Sequence, residues 1–411
     1  MKDIATAPQV IKDVLVPETL LGYTPDPLTY YNGCLRGDAL VLNGRVAALR
    51  PPTTSAAPRL LLPTLVEAHC HLDKCHTIDR MHGIGGDLAA AIAAQAQDKA
   101  NWTEQDLRAR STQGLSELRA AGCRLVRSHI DWSDTIEAPL AWNVFKELAQ
   151  DTRHDIDLDR AALINASLLA EPGAANALAT NIHRDLGTLG VFVLDQPDRA
   201  AGIRAAFQAA DRFGLALDFH VDEGLAEGLD GLEIIADIAL ETRFQGPVLC
   251  GHACSLMNMH GDRLARLLDK LAASCVSICA LPTTNLYLQG RSIGTPDRRG
   301  LTRLRELHAA GVPIVVGSDN VADAYCPVGL HDPMAALHMA VMAAQLDPPF
   351  SIWLDLITTN AARALGRQPM QVIGANIADL RVSQARSVAE LISGRCPAMT
   401  PPETHLEALA R

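Results

Sequence analysis

Six histidine and acidic residues in this chain each stand just after a short apolar run: His69 and His71, His220 with Glu223, His252, and Asp319. Together they are able to ligate one metal ion and to move protons beside it. His69-Cys70-His71 follows Leu60-Leu61-Leu62-Pro63-Thr64-Leu65-Val66. In an extended strand residues i and i+2 share a face, so both imidazoles reach one ion while Cys70 faces away. Imidazole nitrogens with a carboxylate oxygen suit one divalent cation per subunit, Zn2+ or Fe2+. An incomplete protein cage leaves a position for water, whose pKa such a metal lowers toward neutrality, and that water is the expected nucleophile.

The elements that must carry these groups are legible in the hydrophobic pattern. Asp38–Leu42 and Arg45–Leu49 flank Asn43-Gly44, the signature of a hairpin with a type I′ turn, so the first sixty residues read as a small β unit. The turn-rich stretch Pro51–Pro58 follows it. Eight apolar strand candidates come next: Leu61–Val66, Arg124–Ile130, Ala162–Leu168, Val191–Leu194, Leu215–Val221, Pro247–Gly251, Val276–Leu281 and Pro313–Gly317. Amphipathic stretches lie between them, such as Glu104–Ala121 with Thr103 as N-cap and Arg199–Phe213 closed by Gly214.

Strand and helix alternating eight times is the pattern of an α/β fold, a (β/α)8 TIM-type barrel, here expected over residues 61–364. The metal set then falls at or just past the C-terminal ends of the first, fifth, sixth and eighth strands, the rim where barrel enzymes keep their active sites. The last segment, with Ile377–Val382 and the helical piece Ser387–Ile392, is expected to return to the N-terminal unit. Residues 1–60 and 365–411 would thus form a small β-sandwich domain.

Composition narrows the function classes. The chain has 411 residues, a hydrophobic fraction of 48% and a formal charge of −11 with no basic stripe, which argues against nucleic acid and anionic membranes as partners. No apolar run approaches the roughly 20 residues needed to span a bilayer. Met1-Lys2-Asp3 leads into a mixed polar stretch without a secretory h-region, so a cytoplasmic location is expected. The ten cysteines are scattered and several lie in apolar strands, so they read as reduced. Cys70-x4-Cys75-His76 and Cys275-x3-Cys279 lack the matching CxxC partner of a structural zinc site.

Leu65-Val66-Glu67-Ala68-His69-Cys70-His71-Leu72-Asp73-Lys74 resembles the first-strand metal motif of the amidohydrolase superfamily, in its cytosine deaminase-like branch. Asp218-Phe219-His220-Val221-Asp222-Glu223 resembles the branch's fifth-strand motif. Leu286–Arg291 through Gly317-Ser318-Asp319-Asn320 resembles its seventh-to-eighth-strand region, so the likeness runs from about Asp38 to the C-terminus. It implies that His69, His71, His220 and Asp319 hold the metal, the same four that the residues themselves suggest. It further implies that Glu223 shuttles protons, that His252 orients the water and the developing oxyanion, and that Asp319 takes a proton from that water. Two-metal relatives need a bridging group on the fourth strand, and Val191-Phe192-Val193-Leu194-Asp195 offers no lysine, so one metal is expected; Asp195 reads as a helix cap. His129 and Asp131 read as supporting or substrate contacts rather than ligands.

Four residues are expected to contact substrate. Glu171, in Ala170-Glu171-Pro172-Gly173, aligns with a glutamine that reads the pyrimidine in the branch, and an ionised glutamate only accepts hydrogen bonds. On that basis cytosine would be a poor substrate. Asn320 replaces a second aspartate, Tyr325 an aromatic tryptophan, and Lys74 resembles a lysine beside the substrate in triazine-processing members. The implied activity is hydrolytic deamination or dealkylamination of a small nitrogen heterocycle, pyrimidine- or triazine-like, by metal-hydroxide attack on a C–N bond. The alternatives are hydrolysis of a ring amide or lactam by the same machinery, and a non-catalytic barrel serving as a binding module. The resemblance also implies a homo-oligomer.

Overall fold

The computed structural model describes residues 8–23, 28–54, 57–132, 134–274, 276–396 and 398–408. Its centre is an eight-stranded parallel sheet: β1 (Leu65–Cys70), β2 (Cys123–Asp131), β3 (Asp157–Asn165), β4 (Thr188–Val193), β5 (Leu217–Val221), β6 (Val248–His252), β7 (Ser277–Ala280) and β8 (Ile314–Val316). Neighbours in sequence are neighbours in the sheet throughout. The seam between β8 and β1 is short, a single parallel bridge between Cys70 and Asp319, in which Asp319 N donates to His69 O at 2.9 Å. Closure of the barrel therefore runs through the residues that the sequence assigns to the metal.

Helices between the strands pack their apolar stripes on the barrel. Helix α1 (Glu104–Ala120) is capped as expected, the Thr103 side chain accepting from Asp106 N, and Gly214 ends Arg199–Phe213 with φ +64°. Asp198, not Asp195, occupies the N-cap position of that second helix, and Asp195 is exposed. Pro197 intervenes between the two aspartates, so the helix begins later than the end of β4 suggested. No helix among the described residues is long and apolar enough to cross a membrane.

The N- and C-terminal segments share a separate eight-stranded sheet with its own apolar cluster, including Val14, Val41, Leu61 and Val382. Cys34–Leu42 and Arg45–Arg50 form the expected hairpin, with Asn43 at φ +50° and Gly44 at φ +73°, the two positive angles a type I′ turn demands. The chain end does return: Leu380–Ser383 pairs with Arg59–Pro63, and Leu406–Ala408 with Gln9–Ile11.

The first apolar run differs from the single strand expected over Leu61–Val66. It is two strands, Arg59–Pro63 in the small sheet and β1 in the barrel. Pro63 has no N–H to continue a ladder, Thr64 N turns to Asp379 O, and Leu65 N turns to Gly122 O. The third strand likewise stops early, at Asn165, whose side chain caps a short helix α2 (Ala166–Ala170) by accepting from Ser167 N.

Candidate active site

Strand register places four imidazoles and two carboxylates at the C-terminal mouth. His69 is the penultimate residue of β1 and His71 follows the strand, His220 lies in β5 with Glu223 two residues past its end, His252 closes β6, and Asp319 follows β8. His69 Nε2 and His71 Nε2 stand 3.5 and 3.3 Å from Asp319 Oδ1, and His71 Nε2 stands 3.0 Å from His220 Nε2. The mouth is tight enough to need glycine beside it: a Cβ at Gly251 would sit 2.8 Å from His69 Cε1, and one at Gly317 would sit 2.8 Å from His69 O. Asp319 and His252 themselves adopt φ of +63° and +67°, strained for residues with a side chain and typical of functional positions.

The bonding of these groups fits a divalent cation. Both ring nitrogens of His69, Nδ1 of His71 and of His220, and both oxygens of Asp319 are buried without a hydrogen-bond partner in the protein. Unpaired buried polar atoms are costly, and so many on one spot call for a shared charge partner. Burial holds His69 and His220 well below the ordinary imidazole range and, with Lys74, brings His71 to about 4, so the rings are neutral donors at pH 7. Burial alone would raise Asp319, but His69 and His71 hold its carboxyl well below the usual range.

His129, read from sequence as a supporting residue, lies closer than that reading suggests. Its donor atoms and those of His69, His71 and His220 all lie within 4.8 Å of one another, and its ring is 4.0 Å from that of His69. Its Nε2 is 3.0 Å from Asp218 Oδ1, and Asp218 is paired in turn with Arg127 Nη1 at 2.9 Å. Arg127 also reaches Asp159 at 2.7 Å. A buried ionic chain therefore lies behind the histidines, directed away from the cavity.

Glu223 and His252 form a second close pair at the mouth, His252 Nε2 lying 3.6 Å from Glu223 Oε2. Burial pushes the Glu223 carboxyl up to about 7, which leaves it able to carry a proton near neutrality. The adjacent Asp222 points the other way, accepting from Gly231 N, Leu232 N and Ser255 Oγ, and so anchors the turn that aims Glu223 inward.

A cavity of about 200 Å³ opens over these groups. His71, His220, Glu223, His252, Lys74, Asn320 and Tyr325 all line it, together with Trp132, Asn165 and Phe192. Lys74 Nζ pairs with Asp131 Oδ1 at 2.8 Å and stands 5.1 Å above the Tyr325 ring. Against the burial that alone would raise it, Lys74 and Lys99 hold Asp131 down at about 2. Glu171 is the exception among the expected contacts. It is exposed at the C-cap of α2 and does not line the cavity; Leu163 and Asn165 are what β3 presents there. The argument that Glu171 disfavours cytosine falls with it.

Cys70 and Cys75 are free, their thiols directed to the Arg127 and Leu72 carbonyls, and Cys279 is free as well. Cys275 lies outside the described residues.

Comparison with known proteins agrees with this arrangement. Residues 78–370 match the sequence model of the amidohydrolase family. Over 396 residues the chain is 33% identical to the pterin deaminase of Rhizobium rhizogenes, covering 93% of this chain and 90% of that protein. The chain belongs to the amidohydrolase family. As an amidohydrolase it is a hydrolase acting on C–N bonds. The crystal structure of 5-methylcytosine deaminase from Klebsiella pneumoniae superposes with a TM-score of 0.73 at 24% identity, covering 95% of each chain. That of N-isopropylammelide isopropylaminohydrolase from Burkholderia multivorans gives 0.71 at 22% identity, covering 95% of this chain and 97% of that one. Both likenesses are of fold, and they place this amidohydrolase beside the cytosine deaminase-like barrels.

Two positions in this amidohydrolase escaped the sequence reading. Glu67, fully buried in β1, accepts from His69 N at 2.9 Å, Ser318 N at 3.2 Å and Ser318 Oγ at 2.6 Å, and so ties the barrel seam beside two of the proposed ligands. A carboxylate inside an apolar strand was the available signal. Asn285, on α3 (Pro282–Leu288), holds His252 Nδ1 at 3.0 Å. A neutral amide on a helix carries no such signal.

Proposed function

We propose that this protein is a mononuclear metal-dependent aminohydrolase that removes an exocyclic amino group from a planar nitrogen heterocycle, with pterins first in line and pyrimidines and triazines next. The observation that carries the reading is the placement of Glu223, a carboxyl pushed up to about 7 by burial, on one cavity wall with His252, His71 and His220, the last two of which adjoin His69 and Asp319 just beneath it. The full-length likeness to a pterin deaminase supports a fused aminopyrimidine ring over a small one.

His69, His71, His220 and Asp319 would hold one divalent cation, Zn2+ or Fe2+, which when bound supplies an acidified water and polarises the reacting carbon. Asp319 would accept a proton from a water held there. Glu223 delivers a proton to the ring nitrogen next to the reacting carbon, then takes one from the hydroxyl on that carbon as the carbonyl forms and passes it to the leaving amine. His252, its Nδ1–H donating to Asn285 Oδ1, turns the Nε2 lone pair toward the cavity, where it accepts from the attacking water and orients it. Trp132, Phe192 and Tyr325 offer apolar faces to a flat ring, while the Lys74–Asp131 pair and Asn165 supply polar partners at its edge.

The test is an ammonia-release screen of the metal-replete enzyme over pterins, aminopyrimidines, aminotriazines and cyclic amides, followed by mass spectrometry of the product. A carbonyl product with one equivalent of ammonia is expected. Ring-opened carboxylate without ammonia would replace deamination by lactam hydrolysis, and stoichiometric metal with no turnover across the panel would favour a binding module.

A further inference from the structure

Away from the cavity, three separate segments bring a second set of metal-binding side chains together. His76 lies in the turn after β1, Glu117 on α1, and His331 just ahead of α4 (Pro333–Ala343). His76 Nε2 and His331 Nδ1 approach the same oxygen, Glu117 Oε2, at 3.1 and 2.7 Å. The two rings meet edge to face with centroids 5.5 Å apart, and the three donor atoms all lie within 4.8 Å of one another. We propose that His76, Glu117 and His331 form a second metal site that takes one divalent transition-metal ion such as Zn2+, independent of the ion proposed for the cavity.

The donor chemistry selects the ion. Two imidazoles and one carboxylate suit zinc, copper or nickel, whereas magnesium and calcium demand oxygen ligands. No lysine or arginine pairs with Glu117 among the described residues, so its charge is shared only by the two imidazoles. Gln113 Nε2 donates to Glu117 Oε1 at 3.1 Å and fixes the carboxylate plane, leaving Oε2 for the cluster. His331 Nε2 is buried and unpartnered, so the ring has no competing anchor on its far side. The bond to His331 holds Glu117 at about 2, and burial holds His331 below the ordinary imidazole range. Both are therefore in the forms that bind metal at neutral pH.

Two of the three donor separations, 3.1 and 2.7 Å, are already close to those around a bound ion. Donor atoms around a tetrahedral zinc ion stand about 3.3 Å apart, so His331 and Glu117 must part by roughly half an ångström. Glu117 has room for this, its side chain being 38% exposed, and the same opening leaves a coordination position for water. On binding, each imidazole nitrogen that now donates to Glu117 offers its lone pair to the ion, and its proton moves to the other ring nitrogen or to solvent.

An ion here would clamp parts of the barrel mouth. His76 N and Thr77 N already donate to Val321 O and Ala322 O, on the loop that carries Asn320 and Tyr325, and His76 is two residues from Lys74. Occupancy would join α1 and the segment before α4 to that pair of loops and raise the melting temperature.

The decisive experiment titrates Zn2+ into tag-free holoenzyme already carrying its cavity ion, and counts ions per chain after gel filtration. Wild type is expected to take up one equivalent more than Glu117→Gln and His76→Asn, with a zinc-dependent rise in Tm in wild type alone. Added Co2+ should likewise give a visible absorption band that both variants lack. Equal uptake and equal Tm shifts in wild type and variants would overturn the proposal, as would failure of wild type to bind beyond the first equivalent. If Glu117→Gln does not fold, the partly exposed His76→Asn supplies the same comparison. Because neither variant touches the cavity ligands, loss of the first equivalent would count against the proposed catalytic site and not against this one.

Discussion

His252 Nδ1 lies 3.0 Å from Asn285 Oδ1, and this contact decides which ring nitrogen of His252 faces the cavity. Asn285 is fully buried and its amide nitrogen rests 3.1 Å from Cys254 Sγ, so it has little freedom to turn away. Asn285→Ala should lower kcat/KM by about 10- to 100-fold, the usual effect of removing a residue that orients a site histidine. Metal content should be unchanged, since His252 is outside the proposed ligand set. Wild-type kinetics in this variant would mean that packing alone fixes the ring.

Glu223→Gln keeps the size of the side chain and removes its capacity to carry a proton. Turnover should fall by roughly 10²- to 10⁴-fold with metal stoichiometry intact. Steady-state kinetics beside elemental analysis of the same samples would separate this from a metal defect. Retained turnover would assign the proton transfer to another group.

The sequence made the barrel and the polar residues at its mouth legible for one physical reason. His69, His220, His252 and Asp319 each interrupt or end a buried apolar run, and a polar group there is conspicuous against its surroundings. The same continuity hid the switch of sheets at Pro63-Thr64, because Leu60–Leu62 and Leu65–Val66 are buried on both sides of it. Alignment of Ala170–Gly173 with the third-strand segment of the family puts Glu171 at the substrate, but the strand ends at Asn165 and α2, which advances only about 1.5 Å per residue and turns, carries Glu171 elsewhere. The third strand begins at Asp157 rather than at the expected Ala162, and tertiary pairing with Arg127 is what makes Asp159 acceptable inside β3. Partners such as Asn285, or the meeting of His76 with Glu117 and His331, depend on loop paths that no local pattern encodes.

The Lys74–Asp131 pair supports a prediction on both activity and stability. Lys74→Met should reduce turnover without changing metal content, as expected for a cation that faces substrate. It also leaves a largely buried carboxylate without its main partner. The cost should be about 2 kcal/mol, below the figure for full burial because Lys99 Nζ remains 3.7 Å from Asp131. Adding Asp131→Asn should recover part of that stability and none of the activity, as read by urea unfolding and initial rates. Unaltered kinetics in Lys74→Met would take the lysine out of the substrate site.

Arg127 is 1% exposed and held between Asp159 and Asp218, so its removal strands two carboxylates inside the barrel. Arg127→Met should cost about 3–5 kcal/mol in unfolding free energy. Because Asp218 also faces His129 at 3.0 Å, and the His129 ring lies 4.0 Å from that of the proposed ligand His69, metal affinity should weaken too. Pairing the change with Asp218→Asn should restore stability only in part, since Asp159 remains uncompensated. A loss under 1 kcal/mol for the single variant would show that the chain behind the histidines is not a structural element.

Asp323 gives a pH dependence whose sign is fixed. Burial pushes its carboxyl from 3.8 up to about 7, despite hydrogen bonds accepted from Cys326 N, Asn320 Nδ2 and Tyr325 N. The folded state therefore binds the proton more tightly than the unfolded chain does. The contribution is fully present below about pH 4 and is lost as pH rises through about 7. Between those limits wild type should lose up to about 1.4 kcal/mol of stability per pH unit relative to Asp323→Asn, which has no proton to release. Urea unfolding of both proteins at pH 5, 6, 7 and 8, with metal held saturating, would show the difference narrowing or reversing toward high pH. A difference independent of pH would mean that the hydrogen bonds from Asn320 and the two backbone amides keep Asp323 ionised throughout.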